Sequence, residues 1–331
     1  MKAIHLINSI KPGGAENVAL NYVKVLKELG VSSLIIGKPD SFFYEEKMKE
    51  VAEVKYKCTK KDIKEVDFIF VHSNINLLRL LPFYKIITSK RTRVFYIQHL
   101  CYDIKKFRYL SWMINWICTD FIQITPITNE LIQQYIKIPV YFIINFYVNR
   151  YSSHEWGKIR NEVRTKLNIP AKKKLITFSA IFKPGKGLDF AIRLAMEMRN
   201  DSSIEFLIIG DGPEVNLVKS YPYSNLHWIG RVNDVEQYLI ASDIYLFSSI
   251  YKQEMMPMAL IEAINTDKRI VALKTNINDY LLSNQTYESL EKVIEALKID
   301  NIPSGFKHYD MNYAIQKAAD LANIYLRLSK L

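Results

Sequence analysis

Short runs of branched and aromatic residues alternate with helical stretches from the first residue of this 331-residue chain. Parallel strands need a crossover of a dozen or more residues between them, which a helix supplies. Alternation of this kind therefore predicts a parallel sheet covered by helices. The first predicted strands are residues 3–7, 33–36, 67–71, 94–97, 123–126 and 141–144. A polar stretch, Ser152-Ser153-His154-Glu155-Trp156-Gly157, then interrupts the pattern, which restarts with strands at 175–178, 205–209, 227–229, 244–247 and 270–272. Two doubly wound α/β domains are expected, since the chain is too long for one ordinary core of about 100 to 200 residues. The predicted boundaries are 1–150, a connection at 151–170, a second domain at 171–308, and a terminal helix at 309–331 packing back on the first domain. That helix is read from the spacing of Met311, Ala314, Ala318, Leu321, Ile324, Tyr325 and Leu328.

The balance of 49% hydrophobic and 24% charged residues is that of a globular protein. Lys and Arg exceed Asp and Glu by 45 − 34 = 11, which favours phosphates, nucleic acids or anionic lipid as partners without choosing among them. The basic residues are scattered and match no nucleic-acid motif, so nucleic acid is not expected. Cys58, Cys101 and Cys118 have neither disulfide-framework nor zinc spacing, which suits a reducing compartment. No signal peptide is visible at the start, and nowhere do about 18 apolar residues run unbroken. A cytoplasmic protein is expected, with any membrane contact peripheral on the inner face. No internal repeat appears.

Several segments carry candidate chemistry. Gly13 and Gly14 sit where the first strand turns into a helix, and exposed amides there suit a phosphate or a sugar oxygen; the alternative is a plain tight turn. Lys183 and Lys186 flank the turn Pro184-Gly185 after the strand at 175–178, where ammonium groups would neutralise a diphosphate. Gly210-Asp211-Gly212-Pro213 is by itself only a turn, and Arg231 follows a strand end, where an arginine suits a phosphate or base edge. In Glu254-Met255-Met256-Pro257-Met258-Ala259-Leu260-Ile261-Glu262 two carboxylates flank a helix start marked by Pro257. Both are expected to point into one cleft, as acceptors for sugar and ribose hydroxyls.

In this order the pieces resemble the retaining glycosyltransferases of family 4. The resemblance rests on Pro12-Gly13-Gly14-Ala15-Glu16, Lys186-Gly187, Ile209-Gly210-Asp211-Gly212-Pro213-Glu214, Gly230-Arg231-Val232, Ala241-Ser242-Asp243-Ile244, and Glu254 through Glu262 with Ala263. It implies the GT-B fold, two facing Rossmann-like domains. It also implies transfer of a sugar, with retention, from a nucleotide diphosphate sugar (UDP-sugar favoured, GDP-sugar admitted) to a glycan or lipid-linked acceptor in cell-surface polysaccharide synthesis. Lys186 would neutralise the leaving diphosphate, Glu254 meet the donor sugar, and Glu262 hold the ribose. Gly13, Gly14, Lys183, Arg231, Met255 and Met256 would complete the donor site, and His99 would be the sugar-contacting histidine, with His72 a weaker candidate. Thr128 and Asn145 match structural positions. No cofactor or metal is expected, the nucleotide sugar being a substrate.

The sequence departs from the family pattern at Ala180-Ile181, where glycine and arginine are usual, leaving open whether Lys183 supplies the missing charge. Met255 stands where glycine is common, and Phe146 where Asn-Gly is usual. Two other readings stay open: a non-hydrolysing nucleotide-sugar epimerase and a non-catalytic sugar-nucleotide-binding subunit. Finally, residues 105–116 mix Lys105, Lys106 and Arg108 with Tyr109, Trp112 and Trp116. Either this helix lies on anionic lipid, or Trp112 and Trp116 pack into the first domain's core, the default expectation.

Overall fold

The computed structural model describes residues 1–251, 254–282, 285–299 and 310–328. The chain divides into two compact units, Met1–Val148 with Gln253–Met258 and Asp310–Leu331, and Asn149–Lys252 with Ala259–Tyr309. The expected boundaries at 300–309 and 329–331 lie outside the described residues.

The first unit is built on seven parallel strands: β1 (Lys2–Ile10), β2 (Ser32–Pro39), β3 (Glu53–Lys55), β4 (Phe68–Val71), β5 (Arg93–Ile97), β6 (Asp120–Gln123) and β7 (Val140–Phe142). Their order is β3-β2-β1-β4-β5-β6-β7. Strand order reverses between β1 and β4, and the loops leaving their carboxyl ends part there, which is where such sheets bind ligands. Central strands covered on both faces must be apolar throughout, and all four residues of β4 are buried. One polar ring, His5, sits fully buried within β1. The C-terminal helix Met311–Leu328 packs against the helix Gly14–Glu28. It buries Ala314, Ala318 and Leu321; the Leu321 side chain alone contributes about 1.5 to 3 kcal/mol. The side chains of Met311, Ile324, Tyr325 and Leu328 lie outside those described.

The second unit repeats the scheme with β8 (Lys174–Ile181), β9 (Ile204–Asp211), β10 (Leu226–Trp228), β11 (Ile244–Phe247), β12 (Arg269–Leu273) and β13 (Thr286–Tyr287). Their order is β10-β9-β8-β11-β12-β13, all parallel, with the reversal between β8 and β11.

Three expectations change. The strand expected at 123–126 is β6, beginning at Asp120; the carboxylate that disguises it is fully buried and paired to Arg93, whose Nε donates to Asp120 Oδ2 at 2.8 Å. Edge strands β3 and β13, three and two residues long, are too short to carry a pattern. The expected connection at 151–170 is instead largely a helix, Trp156–Lys166, belonging to the second unit. Its arginines are not linker charges: Arg164 is 3% exposed, donates to the Ala241 carbonyl at 3.0 Å, and pairs with Asp243 at 2.5 Å. Arg160 also donates to the Ala241 carbonyl, at 2.8 Å, so two guanidinium groups satisfy the end of the helix Glu236–Ala241.

Candidate functional site

In the first unit the carboxyl end of β1 leads to the glycine turn. Gly13 caps the helix Gly14–Glu28 in an extended conformation without any side-chain cap. A Cβ at Gly13 would fall 2.2 Å from Glu16 Oε2, whereas one at Gly14 would meet nothing within 4 Å. Gly13 thus makes room for the chain's own Glu16 carboxyl, and Gly14 leaves the open approach. Burial raises the Glu16 pKa, opposed by its own backbone N–H and by Lys11.

The next strand ends carry histidines. His72 follows β4 and is 2% exposed; His99 follows β5 and is half-buried. His72 Nδ1 lies 3.2 Å from His99 Nε2, and His72 Nε2 lies 3.2 Å from His5 Nδ1. Burial lowers the pKa of His99 to about 4.

Directly after His99, Leu100 forms an antiparallel bridge with Glu254. Gln98 Nε2 donates to the Leu100 carbonyl at 3.1 Å, and Asn145 Nδ2 donates to the Met256 carbonyl at 3.0 Å. These bonds, with the buried side chains of Met255 and Met256, fix the Glu254 segment in the first unit. From its position in the chain, Glu254 is expected in the second domain with Lys186 and Glu262. The structure divides them: the bridge to Leu100 and the amide of Asn145 tie the segment to the first unit. Half-buried Glu254 is thereby one backbone bridge from the residue following His99.

In the second unit the carboxyl end of β8 leads to the lysine turn. Lys183 Nζ lies 4.3 Å and Lys186 Nζ 5.1 Å from the centroid of the Tyr251 ring. Both ammonium groups therefore gather on one aromatic ring, a contact worth about 0.5 to 2 kcal/mol according to desolvation. The turn itself is tied to the segment after β11. Ile250 N donates to the Gly185 carbonyl at 2.9 Å and Ser248 Oγ to the Gly187 carbonyl at 2.8 Å. Gly187 has φ +84°, and a Cβ there would meet Ser248 O at 2.3 Å, so only glycine fits. Ile181, at the end of β8, is 44% exposed and brings no charge. Glu262 is buried in the helix Met258–Ile264, one turn from its start. Arg231 is exposed beyond β10, the edge strand of the sheet.

The structure thus unites His99 with the Glu254 segment in one unit, and Lys183 with Lys186 in the other. Sequence reasoning missed Tyr251, which has no motif of its own, and His5, which looks like an ordinary strand residue. Adjacent strand ends carrying His72 and His99 were a usable signal for their pairing.

The helix Ile104–Ile117 corrects the default expectation for its tryptophans. It buries Phe107, Leu110, Met113, Ile114 and Ile117, and Trp112 and Trp116 lie on the other face, 63% and 47% exposed. Their rings contact each other, and Trp116 also contacts Tyr84. Among the described residues, no helix is long and apolar enough to cross a membrane, and no three His, Cys, Asp or Glu side chains gather as metal ligands.

Residues 159–298 match the family model described as Glycosyl transferases group 1. No curated protein sequence matches the chain. Among solved structures, Anabaena Alr3699/HepE in complex with UDP-glucose is similar over 100% of both chains at 17% identity and TM-score 0.75. A glycosyltransferase from Rickettsia africae ESF-5 is similar over 96% of this chain and 93% of that one, at 15% identity and TM-score 0.68. WaaG, a glycosyltransferase involved in lipopolysaccharide biosynthesis, is similar over 97% and 95%, at 15% identity and TM-score 0.60. At such identities the likeness speaks for the fold, which is GT-B. With that fold and the family-model match across most of the second unit, the chain is an enzyme of the glycosyltransferase class.

Proposed function

We propose that the chain transfers a sugar, with retention, from a nucleotide diphosphate donor to a glycan or lipid-linked acceptor of a cell-surface polysaccharide such as lipopolysaccharide, lipooligosaccharide or capsule. The observation that carries the reading is the pair of ammonium groups on Tyr251 at the carboxyl end of β8. Breaking the bond from anomeric carbon to diphosphate accumulates negative charge on the leaving group, and fixed cations there stabilise it without reorganising. Lys186 takes that role, and Lys183 supplies the charge that Ile181 does not. Glu262 holds the ribose hydroxyls. Glu254 and His99 contact the donor sugar, while Gly13 and Gly14 offer backbone to phosphate or acceptor, and Arg231 lines the nucleotide pocket. A UDP-sugar is the favoured donor, and no metal is required.

The exposed face of the helix Ile104–Ile117 supports a peripheral seat on the inner face of the cell membrane. Ile104, Tyr109, Trp112 and Trp116 are exposed beside Lys105 and Arg108, the mixture that binds anionic headgroups while inserting rings.

A panel of nucleotide sugars tested by thermal shift identifies the donor, since a ligand bound only by the folded state raises its melting temperature. Product analysis with the stabilising donor then decides the reaction. Transfer to an acceptor supports the proposal; an epimerised donor formed without acceptor, or binding without turnover, replaces it.

A further inference from the structure

Three histidines of the first unit stand in one line. His5 Nδ1 is 3.2 Å from His72 Nε2, and His72 Nδ1 is 3.2 Å from His99 Nε2, with ring planes 29° and 13° apart. The line begins in the middle of the sheet, where His5 is fully buried and stacks 4.7 Å from the Phe70 ring, and ends at half-buried His99. Burial keeps all three neutral at ordinary pH: His5 is lowered to about 3 and His99 to about 4, and His72, between two other imidazoles, goes well below the usual value.

A neutral imidazole has one N–H and one bare nitrogen, so the two contacts are not independent. When His72 Nδ1–H donates to His99 Nε2, His72 Nε2 is bare and accepts from His5 Nδ1–H. His99 then carries its proton on Nδ1. Reversing one bond reverses both, and the reversed line puts an N–H at His5 Nε2. That atom is buried without a hydrogen-bond partner among the described residues. An orphaned buried N–H is a rarer thing than an under-used acceptor, so the line runs outward, from His5 to His99.

We propose that His72, backed by His5, is a positioning residue that locks His99 in its Nδ1–H form, so that His99 meets the sugar nucleotide as a hydrogen-bond donor and not as a base. The inference deepens the reading of His99 as a donor-sugar contact and rests on it for its catalytic meaning.

The test begins with the full chain labelled with nitrogen-15 at its six histidines, in which NMR shifts separate protonated from bare ring nitrogens. Expected are a protonated Nδ1 and a bare Nε2 at His99, and in His72→Phe a move of His99 toward the Nε2–H form that isolated histidine prefers. A protonated His99 Nε2 in the unmodified protein, or an unchanged tautomer in His72→Phe, overturns the proposal. The wild-type measurement needs no variant to fold.

Kinetics provide the second arm. His99→Asn places an amide N–H where Nδ1 stood and should keep transfer within about tenfold, whereas the longer amide of His99→Gln reaches the Nε2 position and should lose more. His72→Phe should cost about 5- to 100-fold, the loss of a hydrogen-bond partner to a buried group, beside His99 and nothing beside His99→Asn, whose amide needs no lock. Equal costs in both backgrounds overturn the proposal. Should the wild-type protein transfer no sugar at all, the functional reading fails while the nitrogen shifts still decide the tautomer.

Discussion

Lys183 holds its ammonium 4.3 Å from the centre of the Tyr251 ring, and Lys186 approaches the same ring. An aromatic face lets two like charges sit near each other at lower cost, since each is attracted by the ring quadrupole. Lys186→Ala is expected to reduce kcat by about a hundred- to a thousandfold, the loss of one contact to developing charge. Tyr251→Phe keeps the ring and should change little, while Tyr251→Leu should lower kcat/KM about three- to fivefold, the equivalent of about 0.6 to 1 kcal/mol. Steady-state rates with the donor found by thermal shift check all three.

The two glutamates should separate kinetically. Glu254→Ala is expected to abolish transfer with the fold retained, measured by rates alongside circular dichroism. Glu262→Ala should mainly raise the donor KM, because the ribose contacts proposed for this carboxylate would persist equally in ground and transition states.

Gly187→Ala tests the lysine turn itself. Its left-handed φ of +84° and the Ser248 carbonyl 2.3 Å from a Cβ leave alanine no relaxed place. A loss of more than about 1 kcal/mol in stability is expected by urea unfolding, together with weaker donor binding.

Acid should unfold the protein in part through His5. The unfolded chain protonates this ring near pH 6.5, but the folded chain not until about pH 3. Stability is therefore full above about pH 6.5 and falls as pH drops through that window, by about 2 kcal/mol at pH 5 for this group. Urea midpoints at pH 7 and pH 5 measure it, and the difference should shrink in His5→Phe.

Trp112→Ser with Trp116→Ser should reduce co-sedimentation with vesicles containing anionic lipid and leave the stability nearly unchanged, because both rings are exposed. Unaltered sedimentation would remove the proposed membrane seat.

Much of this molecule was legible in its sequence because buried parallel strands are written as continuous apolar runs. Residues 244–247 and 94–97 show this well. What escaped was structure written in polar residues. Asp120 hides a strand start because its charge is cancelled by Arg93, a partner 27 positions away. Arg160 and Arg164 read as linker charges because their acceptors lie at Ala241 and Asp243. For the candidate site, local turns singled out Gly13, Gly14, Lys183 and Lys186 as candidates, since glycine and lysine at a strand end have local meaning. Tyr251 and the His5–His72 contact depend on loops and strands meeting from distant parts of the chain, which no local pattern records.

The Glu254 segment has a consequence for dissection of the protein. The backbone leaves one folding unit after Val148, returns to it for six residues, departs again and comes home with the final helix. No single cut yields two autonomous halves. A fragment starting at Asn149 would take Glu254 along but strip it of Leu100 and Asn145, the neighbours that shape it, and a fragment ending at Val148 would keep those neighbours with nothing to hold. Catalysis, if divided, would have to be rebuilt by complementation of both pieces rather than found in either.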